Sequence, residues 1–452
     1  MFRGRSRELT ELNERFLMNT KQFGIIYGRR RIGKSALIER FMKDKPGLLF
    51  QAKVDNSYGN LRSFSYAVDK LTGLPTGFVF SSWEEALDAV VKHFKGKRFI
   101  LTIDEYPYIV SQDASFSSIL QDFFDHAPEN CFLLLSGSNV SFLEKELTHE
   151  KSPLYKRKTF EMPLGPLEYE EAILFLEKYS IEDKIGFLSI MGKYPYYLSA
   201  IDDGRGFEWN LKKLLFNEYG SFFSLPDQVL SNSTNAQDVY NAILQSISLR
   251  HRKPGDISKD IHEENAKVSK YLDTLTGIGI VEKRSSFMGN KKTNYYEISD
   301  PMIRFWYRIV FRDQERIRIN PDGVYAEAKD EIKDYINHGF EEVCHYYMES
   351  LNKNGRLPAI FPQIKNYTAD NSVLGRSVEI DGVAEAGNEL IIMDCKYRNK
   401  SYSKAVFEHL LESSSVFSER YHKHYYLFSR SGFADDMSDI SEAVKLTAED
   451  MF

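Results

Sequence analysis

The eight residues GRRRIGKS, Gly28 to Ser35, constrain this chain more than any other stretch. They follow a short apolar run, FGIIYG (23–28), and open an amphipathic one, KSALIERFM (34–42). Glycines at 28 and 33 permit a tight turn whose amides point inward. Inward amides at the start of a helix attract phosphate oxygens. Lys34 is placed to reach the β- and γ-phosphates of a nucleotide, and Ser35 to give its hydroxyl to Mg²⁺. The backbone of Gly28, Arg29, Arg30, Arg31, Ile32 and Gly33 forms the expected cradle. ATP and Mg²⁺ are the cofactors this loop predicts.

The surrounding text agrees. GLLFQA (47–52), RFILTIDE (98–105) and CFLLLSGS (131–138) read as further buried strands, with helical segments such as WEEALDAVVKHF between them. Continuous apolar strands separated by helices predict a parallel sheet covered on both faces. Asp104 ends one strand, where it can hold the Mg²⁺ shell, and Glu105 follows, where it can polarise an attacking water. Ser138, with Ser136 and Asn139 beside it, is the candidate for sensing the γ-phosphate.

Several stretches here resemble the AAA-type ATPases of archaea and bacteria related to the STAND nucleotide switches. FRGRSREL matches their opening at Phe2, Gly4, Arg5, Glu8 and Leu9, and SPLYKRKTFEMPLGPLEYEEA resembles a second family stretch, departing at Lys156. MGKYPYYLSAI resembles a segment of their helical lid, departing at Lys193. The resemblance implies an arginine finger at Arg157, which in trans would require self-association into a homo-oligomer.

A chain of 452 residues is too long for one core. Its net charge is −6, so any nucleic-acid surface must be local. Three cysteines, far apart in sequence, predict no disulfide framework and fit a reducing compartment. The N-terminus is charged rather than a signal peptide, and no apolar run approaches the ~20 residues that span a bilayer. A cytoplasmic protein with no membrane partner is expected.

From residue 236 to 304 the pattern changes to three short helices and two strands joined by a polar turn at Gly289-Asn290, the layout of a winged helix. Residues 250–292 carry ten Lys/Arg against six Asp/Glu. Asn265, Lys267, Ser269 and Lys270 are side chains a recognition helix would offer to DNA, with Lys291 and Lys292 for a flanking phosphate. The winged-helix ATPases of the same resemblance imply this module too. DNA is therefore the expected macromolecular partner, and protein interaction the alternative use of such a module.

The last segment holds a second set of charged residues in an apolar setting. In ELIIMDCK, alternation puts Leu390, Ile392, Asp394 and Lys396 on one strand face. Upstream, Asp381 ends a short strand, and a hairpin turn at Gly387-Asn388 brings it toward Asp394. Two converging carboxylates repel unless a cation lies between them. On the preceding helix, GFEEVCHYYMESL, Glu341 lies at the edge of the inward stripe and is the third acid, whereas Glu342 lies with His345 on the side facing water. Glu341, Asp381, Asp394 and Lys396 together resemble the PD-(D/E)xK nucleases, with Ile380 where the proline of that motif would stand. The resemblance implies Mg²⁺ held by Asp381 and Asp394, with Lys396 beside the attacking water.

The expected fold is α/β: a P-loop AAA-type parallel sheet (1–165) with a helical lid (166–235), then a winged helix (236–304), a connector (305–336) and an α/β PD-(D/E)xK restriction-endonuclease-like domain (337–452). The function expected is an ATPase acting on DNA with a nuclease-like domain. The alternative is a nucleotide-dependent switch whose nuclease fold is inactive.

Overall fold

The structure is a computed structural model that describes residues 2–73, 77–150, 152–225, 237–288, 294–371 and 376–452. The chain divides into two compact units, one of Met1–Leu167 with Tyr194–Tyr196, the other of Glu168–Lys193 with Tyr197–Phe452.

The first unit is built on a five-stranded sheet. β1 (Gln22–Tyr27), β2 (Gly47–Gln51), β3 (Phe99–Asp104), β4 (Cys131–Gly137) and β5 (Phe160–Pro163) lie in the order β2-β3-β4-β1-β5. All neighbours are parallel. The inner strands β1, β3 and β4 are buried at every residue, which explains their unbroken apolar runs, whereas edge strands β2 and β5 alternate. β5 was not read from the sequence, because FEMP is short, alternates and ends in proline. Phe23, Phe64, Trp83 and Phe116 lie in the core of this unit.

The second unit contains the helices Gln237–Ser248, Pro254–Asp260 and Asn265–Gly277, followed by the antiparallel strands β6 (Val281–Arg284) and β7 (Tyr295–Ile298). Val268, Leu272 and Leu275 form the buried stripe of the third helix. The expected turn at Gly289-Asn290, with Lys291 and Lys292, lies outside the described residues.

A single 33-residue helix, Pro321–Lys353, runs through the boundary expected at 336/337, so residues 321–336 are not a connector. Ion pairs from Arg312 and Arg316 to Glu331 and Glu327 run along its first half. The lid expected over 166–235 also does not stand as one piece. Its helix Ile181–Met191 is buried at every residue from Ile185 onward and packs on the long helix within the second unit. The two backbones cross so closely that a Cβ on Gly339 would stand 2.4 Å from the Cβ of Ser189.

The C-terminal part of this unit carries a mixed sheet, order β12-β11-β10-β9-β8. β8 (Lys365–Asn371), β9 (Arg376–Ala386) and β10 (Glu389–Lys396) are antiparallel; β10, β11 (His422–Ser429) and β12 (Ala443–Thr447) are parallel. β9 and β10 join through Gly387-Asn388, with Gly387 at φ 64°, a conformation that favours glycine. Leu390 and Ile392 pack with Phe407 and Leu410 of the helix Lys404–Ser414.

Candidate functional site

The phosphate loop sits at the carboxyl end of β1, where β1 is flanked by β4 and β5. A Cβ on Gly28 would lie 2.3 Å from the carbonyl oxygen of Leu164, so a side chain there is excluded. Gly33 stands at φ 89° just before the helix Lys34–Met42, and Arg31 also holds a positive φ of 72°. Tyr194–Tyr196 clusters with this unit, and a Cβ on Gly33 would stand 3.3 Å from Pro195 Cγ.

Lys34 is buried and donates to the carbonyls of Gly28 (2.8 Å) and Arg29 (3.0 Å). Burial pushes its pKa down, against the pull of Glu105 and Asp104. Arg30 reaches Tyr108 at 3.2 Å, and Ile32 is buried. The Ser35 hydroxyl donates to Asp104 Oδ2 at 2.7 Å, so the two expected Mg²⁺ ligands stand together. Asp104 is buried at the end of β3, and its Oδ1 accepts from Ser136 of β4 and from the Glu105 amide. Glu105, at φ 54°, accepts from both the amide (3.1 Å) and the hydroxyl (3.0 Å) of Ser138. Ser136 and Ser138 therefore each orient one acid, and Asn139 caps the helix Val140–Thr148. Sequence reasoning had these serines facing the nucleotide, because the cross-strand pairing of β3 with β4 was not visible in it.

Arg157 is held in a bidentate pair with Asp125, at 3.0 Å from Nε and from Nη2, and also donates to Pro153 O. Arg5 was matched only as part of the opening motif. The structure gives it a physical role: its buried guanidinium donates to Ile32 O (3.0 Å) and Gly165 O (2.5 Å) and pairs with Glu8 (2.8 Å), bracing the phosphate loop from behind.

The second constellation forms where the β9–β10 ladder ends at Met393–Gly382. The next residues, Asp381 and Asp394, leave the ladder side by side. Asp381 Oδ2 accepts the Cys395 amide at 2.7 Å. Lys396 Nζ lies 2.7 Å from Asp394 Oδ1 and 3.8 Å from Asp381 Oδ2. The remaining Asp394 oxygen accepts from the Tyr402 hydroxyl at 2.8 Å. The pKa of Asp381 is pushed up to about 8, first by burial and then by Asp394 and Glu341. Burial raises that of Glu341 too, with Asp394 adding and His338, Arg250 and Lys396 opposing. Burial works downward on Lys396, but Asp394 and Asp381 outweigh it and hold its pKa above the ordinary value. The structure thus brings Glu341, Asp381, Asp394 and Lys396 into one electrostatic group.

Three features of this centre escaped sequence reasoning. Tyr402 is fully buried against Asp394, and no pattern marks it. His345, read as facing water, donates from Nε2 to the Asp381 carbonyl at 2.7 Å. Glu342, also read as facing water, pairs with Arg304 and accepts from Tyr346 at 2.8 Å. Burial works against its charge, yet Arg304 and Tyr346 hold its pKa below the ordinary range. Helical spacing assigns these two to solvent; the Asp381 carbonyl of β9 and the guanidinium of Arg304 meet them instead. Cys344 and Cys395, far apart in sequence, are both free and buried.

Among the described residues no three His, Cys, Asp or Glu side chains converge as a complete metal site. Mg²⁺ is ordinarily held by one or two carboxylates, with waters and substrate oxygens completing its shell. Ser35 with Asp104, and Asp381 with Asp394, fit that smaller demand. On the third helix, Lys267 pairs with Glu263 at 2.9 Å and Ser269 bonds back to Asn265 O, while Asn265 and Lys270 are exposed.

Two family models match separate stretches of the chain. Residues 2–201 match the model of an ATPase domain predominantly from Archaea, and residues 306–408 match archaeal and bacterial proteins of unknown function. An uncharacterized protein of Methanocaldococcus jannaschii is 26% identical over 439 residues, 94% of each chain. The Walker-type ATPase of Pyrococcus abyssi superposes with a TM-score of 0.52 at 18% identity, over 68% of this chain and 96% of that one. The Aeropyrum pernix ORC2 protein aligns with a TM-score of 0.43 at 12% identity, over 73% and 95%. This chain is therefore similar, over residues 2–201, to archaeal ATPase domains on an α/β fold whose five-stranded parallel sheet resembles that of P-loop ATPases.

Proposed function

We propose that the chain is a cytoplasmic, AAA-type ATPase acting on DNA, whose C-terminal centre cleaves phosphodiester bonds with Mg²⁺. The observation that carries the ATPase part is the Ser35–Asp104 contact at the mouth of the loop, with Glu105 fixed beside it by Ser138. Lys34 exchanges its two carbonyl partners for phosphate oxygens when nucleotide enters. Glu105 orients a water and takes its proton as the water oxygen bonds to the γ-phosphorus, while the bond from that phosphorus to the β,γ-bridging oxygen breaks and ADP leaves. Mg²⁺ bound at Ser35 and Asp104 supplies charge neutralisation on the phosphates. Arg157, once released from Asp125, would serve a neighbouring copy.

In the C-terminal part, the winged-helix-like arrangement and its basic surplus supply the DNA-facing surface, with Asn265 and Lys270 exposed on the third helix. Asp381, Asp394, Glu341 and Lys396 match the needs of a PD-(D/E)xK centre. Mg²⁺ on the two aspartates would supply Lewis acidity at the scissile phosphate. Lys396 steadies the attacking water, whose proton passes to solvent as its oxygen bonds to phosphorus; the bond from phosphorus to the 3′ oxygen breaks and that oxygen takes a proton from solvent, while Tyr402 holds Asp394 in place.

A second reading, a nucleotide-dependent switch with an inactive nuclease fold, is favoured by two contacts. Asp381 already accepts a backbone amide, and Lys396 is locked on Asp394. Supercoiled plasmid incubated with Mg²⁺, with and without ATP, separates the two. Wild type should nick the plasmid and hydrolyse ATP, Lys396→Ala should lose only nicking, and Lys34→Ala should lose ATP turnover by roughly a hundredfold. Nicking that survives Lys396→Ala undiminished would sink the nuclease reading. ATP turnover with no cutting under any divalent metal would favour the switch.

A further inference from the structure

The second unit contains a cavity of about 140 Å³ lined by five arginines: Arg250, Arg252, Arg284, Arg304 and Arg308. Four of them are paired. Glu297 takes Arg252 (3.1 Å), Arg284 (2.9 Å) and Arg304 (3.2 Å), and Arg304 also holds Glu342. Arg308, from the π-helical turn Trp306–Val310, faces Glu331 at 3.5 Å. Among the described residues Arg250 has no hydrogen-bond or ion-pair partner for its guanidinium. Its neighbours within electrostatic reach are Arg252, Arg304 and Arg308, with Glu341 as the opposing carboxylate. Arg250 is exposed, so it stands where the cavity meets solvent, with Arg252, Arg304 and Arg308 as like charges around it.

The backbone makes the placement harder to explain by packing. The helix Gln237–Ser248 ends in a Schellman motif: His251 N donates to Ser246 O (3.1 Å) and Arg250 N to Ile247 O (2.9 Å). Arg250 occupies the left-handed position, at φ 76°, where glycine is the usual residue. A Cβ costs roughly 1 kcal/mol in that conformation. Strained non-glycine residues of this kind concentrate at ligand sites. A solvent-facing guanidinium at the rim of an arginine-lined cavity matches a phosphate entering from solvent, whose oxygens take the planar fork two at a time. Glu341 lines the cavity and also belongs to the Asp381–Asp394–Lys396 group, so cavity and centre share a wall.

We infer that the arginine-lined cavity is a phosphate-binding subsite beside the C-terminal centre, in which Arg250 receives a phosphate group of the polynucleotide next to the one attacked. This rests on the nucleic-acid reading of that centre, and binding without metal separates the two. The full chain carrying Lys34→Ala, which weakens the phosphate loop as a competing anion site, is the parent for the test. In EDTA, inorganic phosphate should raise its melting temperature, and a labelled oligonucleotide should bind with ordinary salt dependence. Adding Arg250→Gly should leave the unliganded melting temperature equal or higher, because glycine suits the left-handed position. It should also abolish the phosphate-dependent shift, weaken oligonucleotide binding about tenfold, and lower the salt slope by about one.

The inference is overturned if Arg250→Gly keeps both the phosphate shift and the oligonucleotide affinity. It is equally overturned if Arg250→Gly lowers the unliganded melting temperature, which would make the guanidinium structural. Loss of the phosphate shift with unchanged oligonucleotide affinity would assign the cavity to free phosphate and overturn the subsite. Loss of both in a chain that never nicks DNA would uphold the subsite while the cleavage reading falls.

Discussion

Lys34, which opens a helix, and Lys396, which ends a strand, are the same residue type near two acids each, and they are tuned in opposite directions. Lys34 is buried with two backbone carbonyls as hydrogen-bond partners, and burial lowers its pKa. Lys396 sits on Asp394 and near Asp381, which raise its pKa despite burial. The difference lies in what each site still lacks. The phosphate loop holds a cation whose partners are only neutral dipoles, so it is built to gain an anion. The C-terminal centre holds two aspartates against one lysine, so it is built to gain a cation.

The largest effect that would break this comparison is on stability without ligands. In EDTA and without nucleotide, Lys34→Met should change stability by about 1 kcal/mol or less, because it removes an unpaired buried charge along with two modest hydrogen bonds. Lys396→Met leaves Asp394 and Asp381 facing each other and should cost about 2 kcal/mol, below the full value for a buried pair because the ammonium is partly exposed. Adding Mg²⁺ should restore most of that loss in Lys396→Met by binding the folded state. Thermal melts of both variants check this, and a larger drop for Lys34→Met would reverse the assignment.

A smaller effect sharpens the same point through pH. Asp381 has its pKa near 8 in the folded chain, against an ordinary carboxylate value when unfolded. The folded state therefore binds more protons between about pH 4 and pH 8, so its stability falls as pH rises through that window. Asp381→Asn cannot titrate. The wild-type minus Asp381→Asn difference in unfolding free energy should therefore decline from pH 5 to pH 9, at most ~1.4 kcal/mol per pH unit. Because Asp394, Glu341 and Lys396 share the proton, a total nearer 1 kcal/mol is expected. A difference that stays flat across the range would place the shared proton elsewhere in the group.

The two sites also differed in how far the sequence exposed them. The phosphate loop was legible because its residues are contiguous and its glycines answer a local demand, as the clash at Gly28 with Leu164 O shows. The unbroken apolar runs of β1, β3 and β4 were legible for the same local reason. What depended on pairing between distant segments was not. Helical spacing sent Glu342 and His345 to solvent, because it cannot know which strands will cover a helix. The boundary at 336/337 failed similarly: the salt-bridged surface of residues 321–336 reads as polar connector text, although it is the first half of one helix. Asp381, Asp394 and Lys396 were found because one hairpin, with its Gly387-Asn388 turn, brings them together. Arg250 and Tyr402 were not found, since neither carries a motif.

The smallest effect concerns Ser138, which sequence reasoning took for a γ-phosphate sensor and the structure places on Glu105. The two roles differ in outcome. Glu105 Oε2 accepts both the hydroxyl and the amide of residue 138. Ser138→Ala removes only the hydroxyl bond, so the carboxylate stays anchored by the backbone. If Ser138 positions Glu105, turnover should fall only a few-fold, the cost of one hydrogen bond of about 1 kcal/mol, with ATP affinity unchanged. If Ser138 instead contacts the γ-phosphate, Ser138→Ala should weaken ATP binding relative to ADP, a discrimination the positioning role has no means to alter. Nucleotide titrations of wild type and Ser138→Ala with ATP and ADP decide between them. Equal ATP-to-ADP affinity ratios in the two chains would keep Ser138 on the protein side of the site, as a support for the base.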